Sequence, residues 1–243
     1  MLLSEPNNIS MNQLKSATQN SNSAILATNL TKNVGQADNV IEILRNLHVE
    51  VTKGESIAIV GSSGSGKSTL LGLLAGLDNP TSGSVMVEGA PFSSLNEDAR
   101  ASVRGKRMGF VFQSFQLLAT MTALENVMLP LQLASKQNVK HIALETLAKV
   151  GLADRSTHYP KQLSGGEQQR VAIARAFAPQ PAILFADETT CNLDTTTGER
   201  IIELLFSLNL ASNSTLILVT HDTQLAQRCQ RVLTLRDGQL HAS

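Results

Sequence analysis

Of the 243 residues none is tryptophan and one is tyrosine, and aromatic residues together make up 3% of the chain. Little is left from which to build the stacked aromatic surface that grips bases or sugar rings. Neither sign of charge is in excess, with 20 Lys+Arg against 20 Asp+Glu. Such a balance lacks the electrostatic footprint of a dedicated nucleic-acid binder. It also lacks the polybasic patch that would hold a protein on anionic lipid unaided. The two cysteines, Cys191 and Cys229, form no disulfide framework and no paired metal-ligand spacing. A reducing compartment suits them. The opening residues MLLSEPNN carry no cationic start and no apolar run, so a secretory signal is not expected. No apolar stretch approaches the ~20 residues that crossing a bilayer requires. The expectation is a soluble chain whose membrane role, if it has one, runs through a partner.

What is present is an ordinary globular balance, 42% hydrophobic and 16% charged, enough to fill one sizeable α/β core. Residues 1 to about 23 are rich in Asn, Ser and Gln without apolar periodicity, and read as a disordered polar tail. The remainder, 24–243, reads as one domain. Ala24–Ala27, Ile41–Val51, Ser56–Val60, Ser84–Val87, Ala182–Ala186 and Thr215–Val219 have strand patterns. Thr69–Leu77, Met121–Leu133, Val139–Val150 and Thr197–Leu208 have helical ones. Strands alternating with helices predict a mostly parallel sheet with helices on both faces. Ligands of such sheets bind beyond the carboxyl ends of the strands.

Three motifs carry chemistry. Gly61-Ser62-Ser63-Gly64-Ser65-Gly66-Lys67-Ser68-Thr69 follows one predicted strand and opens a predicted helix, the context in which a glycine-rich loop cradles phosphates. Lys67 would reach the β- and γ-phosphates and the Ser68 hydroxyl would ligate Mg²⁺. A flexible Gly/Ser loop with an exposed lysine is the plain alternative, and the strand–loop–helix order argues against it. The second motif is Ala182-Ile183-Leu184-Phe185-Ala186-Asp187-Glu188, an apolar strand ending in two acids. Asp187 can hold the Mg²⁺ shell while Glu188 polarises an attacking water. The third is Leu163-Ser164-Gly165-Gly166-Glu167-Gln168-Gln169-Arg170, in which Ser164 and Glu167 have capping-box spacing. Two glycines in a first helical turn cost ~1 kcal/mol each relative to Ala. They make sense if a phosphate must come close to the backbone.

GSSGSGKST, LSGGEQQR and an apolar strand ending in Asp-Glu occur here in that order. In this the chain from about Ala24 to its end resembles the ATP-binding subunits of ABC transporters. GFVFQSFQLL, ARAF and VTHD followed by QLA resemble the branch that serves lipoprotein-release, macrolide-export and cell-division permeases, and within it the YbbA-type group. The resemblance implies an ABC ATPase fold: a RecA-like core of mostly parallel sheet, a small antiparallel β subdomain and a helical subdomain inserted at about 114–162. It implies roles for Gln113, which contacts Mg²⁺ and links core to helical subdomain, for Asp194 in the loop that meets a second subunit, and for His221 near the γ-phosphate. It implies a head-to-tail homodimer in which the phosphate loop of one copy and Ser164–Gly166 of the other enclose each ATP. And it implies a permease whose cytoplasmic helix docks on the helical subdomain, with Phe115, Leu117 and Leu118 as candidate contacts.

The chain departs from the family pattern where Thr189 replaces a proline and Cys191 a glycine, which implies altered coupling with Glu188 still competent. Val34 stands where many relatives have an aromatic against the adenine, so modest ATP affinity and tolerance of GTP are expected. Two other classes share a phosphate loop with this pattern. A soluble, non-transport ABC ATPase would carry coiled-coil insertions, zinc modules or two cassettes, and none is visible. A phosphate-loop kinase gives no reason for LSGGEQQR.

Overall fold

The computed structural model describes residues 22–35, 39–188 and 194–242. Most of the polar tail, and the Thr189 and Cys191 departures, lie outside the described residues. The chain opens with two long strands, β1 (Ser23–Val34) and β2 (Ile41–Thr52), followed by β3 (Ser56–Val60) and helix α1 (Lys67–Leu74). Strands β4 (Ser82–Val87) and β5 (Ala90–Pro91) lead to α2 (Glu97–Arg107) and β6 (Met108–Val111). Then come α3 (Ala123–Leu133), α4 (Val139–Lys149), α5 (Gly165–Phe177) and β7 (Ile183–Asp187). Helix α6 (Thr195–Ser212), β8 (Thr215–Val219), the short α7 (Thr223–Ala226), β9 (Arg231–Arg236) and β10 (Gln239–Ala242) complete the described chain.

Two sheets form. One is antiparallel, in the order β2-β1-β4-β5; the other has six strands in the order β10-β9-β3-β8-β7-β6. All neighbours in the second are parallel except β10 against β9. Its central strands are apolar on both sides because both faces are covered. Side chains alternate across the pleat. Ile57 and Ile59 of β3, Phe185 of β7, and Ile217 and Val219 of β8 pack into one core with α1 and the antiparallel sheet. Ala58, Leu184, Ala186, Leu216 and Leu218 pack into a second core with α3, α4, α5 and α6. The first face is thus covered largely by the antiparallel sheet, the small β subdomain that the family resemblance implied, where alternation of strands and helices by itself predicted helices on both faces.

Four strands escape the sequence pattern, among them the two-residue β5, which exists through its pairing with β4. Residues 108–111 are too few to show a period, and β6 exists through its pairing with β7. β9 and β10 form a hairpin whose β9 side pairs with β3. β1 runs well past Ala27, because β2 and β4 pair with it on both sides of an irregularity where Asn29 stands at φ 51°. Helix α1 starts at Lys67, two residues before the expected Thr69, and Gly76 at φ 63° follows its end, before Leu77.

Candidate active site

Residues 61–66 join β3 to α1 at the carboxyl edge of the parallel sheet. Gly66 stands at φ 99°, a left-handed conformation that turns the chain directly into the helix. No side chain caps α1, so its first N–H groups and the positive end of its dipole are left for a ligand. That is the physical recipe for an anion site. Lys67 is 6% exposed, and its Nζ donates to the carbonyls of Gly61 at 3.0 Å and Ser62 at 2.9 Å. The ammonium is curled onto its own loop, where a phosphate oxygen can take over its protons.

Strand β7 delivers the acids. The Ser68 hydroxyl donates to Asp187 Oδ2 at 3.1 Å. Burial pushes the Asp187 carboxyl above its ordinary range; the Ser68 hydrogen bond opposes that, the Glu188 charge adds to it, and Lys67 opposes it again. Oδ1 of Asp187 is buried without a hydrogen-bond partner. A buried, half-satisfied carboxylate beside a hydroxyl is costly alone and well suited to a hard cation such as Mg²⁺. Glu188 adopts φ 42°, a conformation that costs a non-glycine residue energy and collects at functional sites. Its N–H donates to the Val219 carbonyl at 2.9 Å, which ties the end of β7 to β8.

The same pairing brings in His221, just beyond β8, whose Nδ1 lies 3.3 Å from Glu188 Oε1. Asp222 then caps α7 by accepting from the N–H groups of Gln224 and Leu225. Gln113, beyond the end of β6, lines the same open cleft of about 990 Å³ as Ser62, Ser63, Gly64, Ser65, Gly66, Lys67, Ser68, Thr69, Asp187 and Glu188. Val34, Ile41, Glu42 and the turn Arg236–Gly238 line that cleft as well.

Ser164, Gly165, Gly166 and Asp194 are elsewhere. With Glu167, Arg170 and Thr197 they line a separate cleft of about 350 Å³. Ser164 caps α5 in a reciprocal box with Glu167. Hydrogen bonds from the Ser164 N–H and hydroxyl, with Arg155 alongside, hold the Glu167 carboxyl down at about 2. Asp194 caps α6 by accepting the Thr197 N–H at 3.0 Å. A Cβ on Gly166 would come within 2.6 Å of Thr197 Cγ2. Close approach of α6 is therefore a reason for this glycine independent of any phosphate.

The model of the ABC transporter family matches residues 44–191, more than half of the chain. The chain belongs to the ABC transporter family, among its ATP-hydrolysing subunits. It is 54% identical over 213 residues to the uncharacterized ABC transporter ATP-binding protein YbbA of Escherichia coli (strain K12), covering 87% of this chain and 93% of that one. It is 46% identical to the lipoprotein-releasing system ATP-binding protein LolD of Legionella pneumophila (strain Lens), over 88% and 95%. Among solved structures, a dimeric ATP-binding cassette in a post-hydrolysis state with ADP and Pi matches at TM-score 0.82 and 41% identity, over 89% of this chain and 96% of that one.

This ABC subunit also holds positioning residues that sequence reasoning missed. Arg175 of α5 donates to the carbonyls of Gln116 at 2.6 Å and Phe115 at 2.9 Å. Asn126 of α3, buried, donates to the carbonyls of Leu118, Met121 and Thr122 and accepts the Leu118 N–H. Together they clamp the segment that follows Gln113 onto two helices. Asn126 is buried and Arg175 half-buried, and only the fold shows which distant backbone these helical side chains satisfy.

Proposed function

We propose that this subunit works as a head-to-tail pair that closes on two ATP molecules and drives a separate inner-membrane permease from the cytoplasmic face. One observation carries the reading: the phosphate loop and the Ser164–Gly166 helix start line two different clefts of one chain. Each is half a site, and a second copy turned end for end completes both. The dimeric state of the matching cassette with ADP and Pi supports the pairing.

In the closed pair the N–H groups of the loop 61–66 and of α1 hold the phosphate chain, with Lys67 on the β- and γ-phosphates and Thr69 beside them. Ser68, Asp187 and Gln113 hold Mg²⁺, which neutralises charge on the transferring phosphoryl group when bound. Glu188 orients a water and takes its proton as oxygen attacks the γ-phosphorus and the bond to the β-phosphate oxygen breaks. His221, touching Glu188, keeps that carboxylate in place and faces the γ-phosphate. From the other copy, Ser164, Gly165 and Gly166 contact the γ-phosphate, and Asp194 sets the loop between subunits.

For the permease the surface offers an open groove of about 320 Å³ beside α3 and α5. Phe110, Phe112, Leu129, Pro130 and Leu133 form its apolar wall, with Arg104 and Arg175 at its sides. Leu133 is 76% exposed, a cost that a docked apolar helix would remove. Phe115, Leu117 and Leu118 are not among the groove's lining residues, and Leu117 packs against the core beside α3 and α5. The likeness to a lipoprotein-releasing subunit supports export, extraction or transmission of force as the permease's work. Among the described residues no helix is long and apolar enough to cross a membrane, in keeping with a partner that supplies the membrane part.

The test uses Glu188→Gln, which binds Mg·ATP without hydrolysing it. Sedimentation should give a dimer with Mg·ATP and a monomer with ADP, and the tagged variant should recover a permease from solubilised native membranes. A monomer with ATP overturns the pairing. A dimer that recovers soluble proteins alone favours a non-transport ATPase.

A further inference from the structure

The Ser164 hydroxyl has one proton, and in this structure that proton is spoken for. Its Oγ lies 2.9 Å from Glu167 Oε2, and the Ser164 N–H donates to the same oxygen at 2.9 Å. The hydroxyl oxygen in turn accepts the Glu167 N–H at 3.3 Å. The carboxyl, held at about 2, is ionised under all working conditions and is an acceptor only, so the hydroxyl must be the donor. What Ser164 Oγ then turns to the cleft is lone-pair density. A phosphate oxygen arriving there meets an acceptor.

We propose that Glu167 is a positioning residue that weakens the grip of this helix start on nucleotide, because its carboxylate competes with the γ-phosphate for the Ser164 proton. The inference rests on the sandwich reading given above. Arg155 moderates the competition. Its Nε donates to the other carboxylate oxygen, Glu167 Oε1, at 3.0 Å, and so draws charge away from Oε2. Arg170 and Asp194 line the same cleft, one cation against one anion, and neither touches this proton.

Closure on ATP then involves an exchange. The hydroxyl rotates out of a charge-assisted bond and into another, and the carboxylate stays beside the incoming phosphate with Arg155 as its remaining side-chain partner. Two anions near one helix start repel, and the closed pair is easily reopened. With glutamine at 167 the amide oxygen can still accept from Ser164 and preserve the cap. The bond to the hydroxyl becomes neutral, roughly half as strong as a charge-assisted one, and one negative charge is gone.

Three variants in the full-length chain, each combined with Glu188→Gln, test this by sedimentation velocity across an ATP titration at fixed Mg²⁺. Glu167→Gln should lower the ATP concentration for half-dimerisation by about three- to tenfold, the range that loss of a charge-assisted bond implies. Arg155→Gln should raise it, because Oε2 then holds the proton harder. A cap that is merely structural would move both in the same direction, toward weaker dimers, and that result would overturn the proposal. Ser164→Ala separates the two layers of argument. If it weakens the dimer while Glu167→Gln leaves the midpoint in place, the Glu167 inference alone fails. If Ser164→Ala changes nothing, the sandwich reading fails and takes the inference with it. Thermal unfolding in ADP checks the fold of each variant, and if Glu167→Gln does not fold, Glu167→Ala, which also removes the carboxylate, takes its place: a lower midpoint supports the proposal and a higher one overturns it.

Discussion

Glu167 illustrates what a single carboxylate does for a helix start. Its folded-state value of about 2 lies below the ordinary 4.5 because Ser164 donates to it twice, with Arg155 alongside. A depressed value stabilises the fold above the unfolded-state value, and that share is lost as pH falls from about 4.5 toward 2. Glu97, Glu125 and Asp194 are also held low, so the whole chain weakens in acid. The part due to Glu167 is isolated by comparison: the urea midpoint of Glu167→Gln should fall less between pH 6 and pH 3 than that of the unsubstituted chain. Val34, in the lining of the cleft that holds the loop 61–66, is 40% exposed. Placing a ring there with Val34→Tyr adds stacking worth ~0.5–1.5 kcal/mol. Calorimetry should show ATP binding about two- to tenfold tighter by that measure, while the unsubstituted chain binds ATP and GTP with similar, modest affinity.

Between elements, the contact of α5 with α6 turns on one glycine. Alanine is favoured over glycine in a helix by ~1 kcal/mol, so Gly166→Ala would stabilise an isolated α5. In the fold its Cβ meets Thr197 Cγ2 at 2.6 Å, and a β-branched side chain has little freedom to move aside. Overpacking costs about 1–3 kcal/mol and outweighs the propensity gain. Gly166→Ala should therefore lower the melting temperature. Thr197→Ser, which removes the offending methyl and keeps the N–H that Asp194 accepts, should make the same Gly166→Ala substitution neutral or stabilising. A Gly166→Ala variant that melts no lower than the unsubstituted chain would refute the packing account of this glycine.

Across the whole molecule, the parallel sheet collects its chemistry at one edge. The ends of β3, β6, β7 and β8 deliver the loop 61–66, Gln113, Asp187 with Glu188, and His221. Arg175 ties the segment after Gln113 to α5, the helix that starts at Ser164 beside the second cleft. The groove beside Leu129 and Leu133 shares Gln116 and Arg175 with this tie. On the docking proposed above, force on the groove would reach both clefts by a short covalent and hydrogen-bonded route. Leu133→Asp places a charge in that groove, and in the reconstituted complex it should abolish the stimulation of ATP hydrolysis by the permease. ADP binding by the isolated subunit should persist, because Leu133 does not line the nucleotide cleft.

Much of this was legible beforehand in the residues themselves. The loop 61–69, the acids at 187–188 and the capping-box helix start at 164 are local motifs, each written in consecutive residues and each enforced by backbone chemistry within one or two turns. The central strands β3, β7 and β8 were legible for a similar reason: burial on both faces demands continuous apolar runs. Gln113 and His221 could be named through family resemblance alone, since one glutamine or histidine has no signal of its own until strands β6 and β8 bring it to the edge. The pairing of β6, β9 and β10, the clamps made by Arg175 and Asn126, and the Thr197 wall against Gly166 were decided by tertiary structure. Each depends on which distant backbone or methyl group comes within a few ångströms, and chain order does not encode that until the two cores close. The separation of the loop 61–66 from the helix start at Ser164 is of the same kind. Local chemistry made both of them, and only the tertiary fold put them in different clefts.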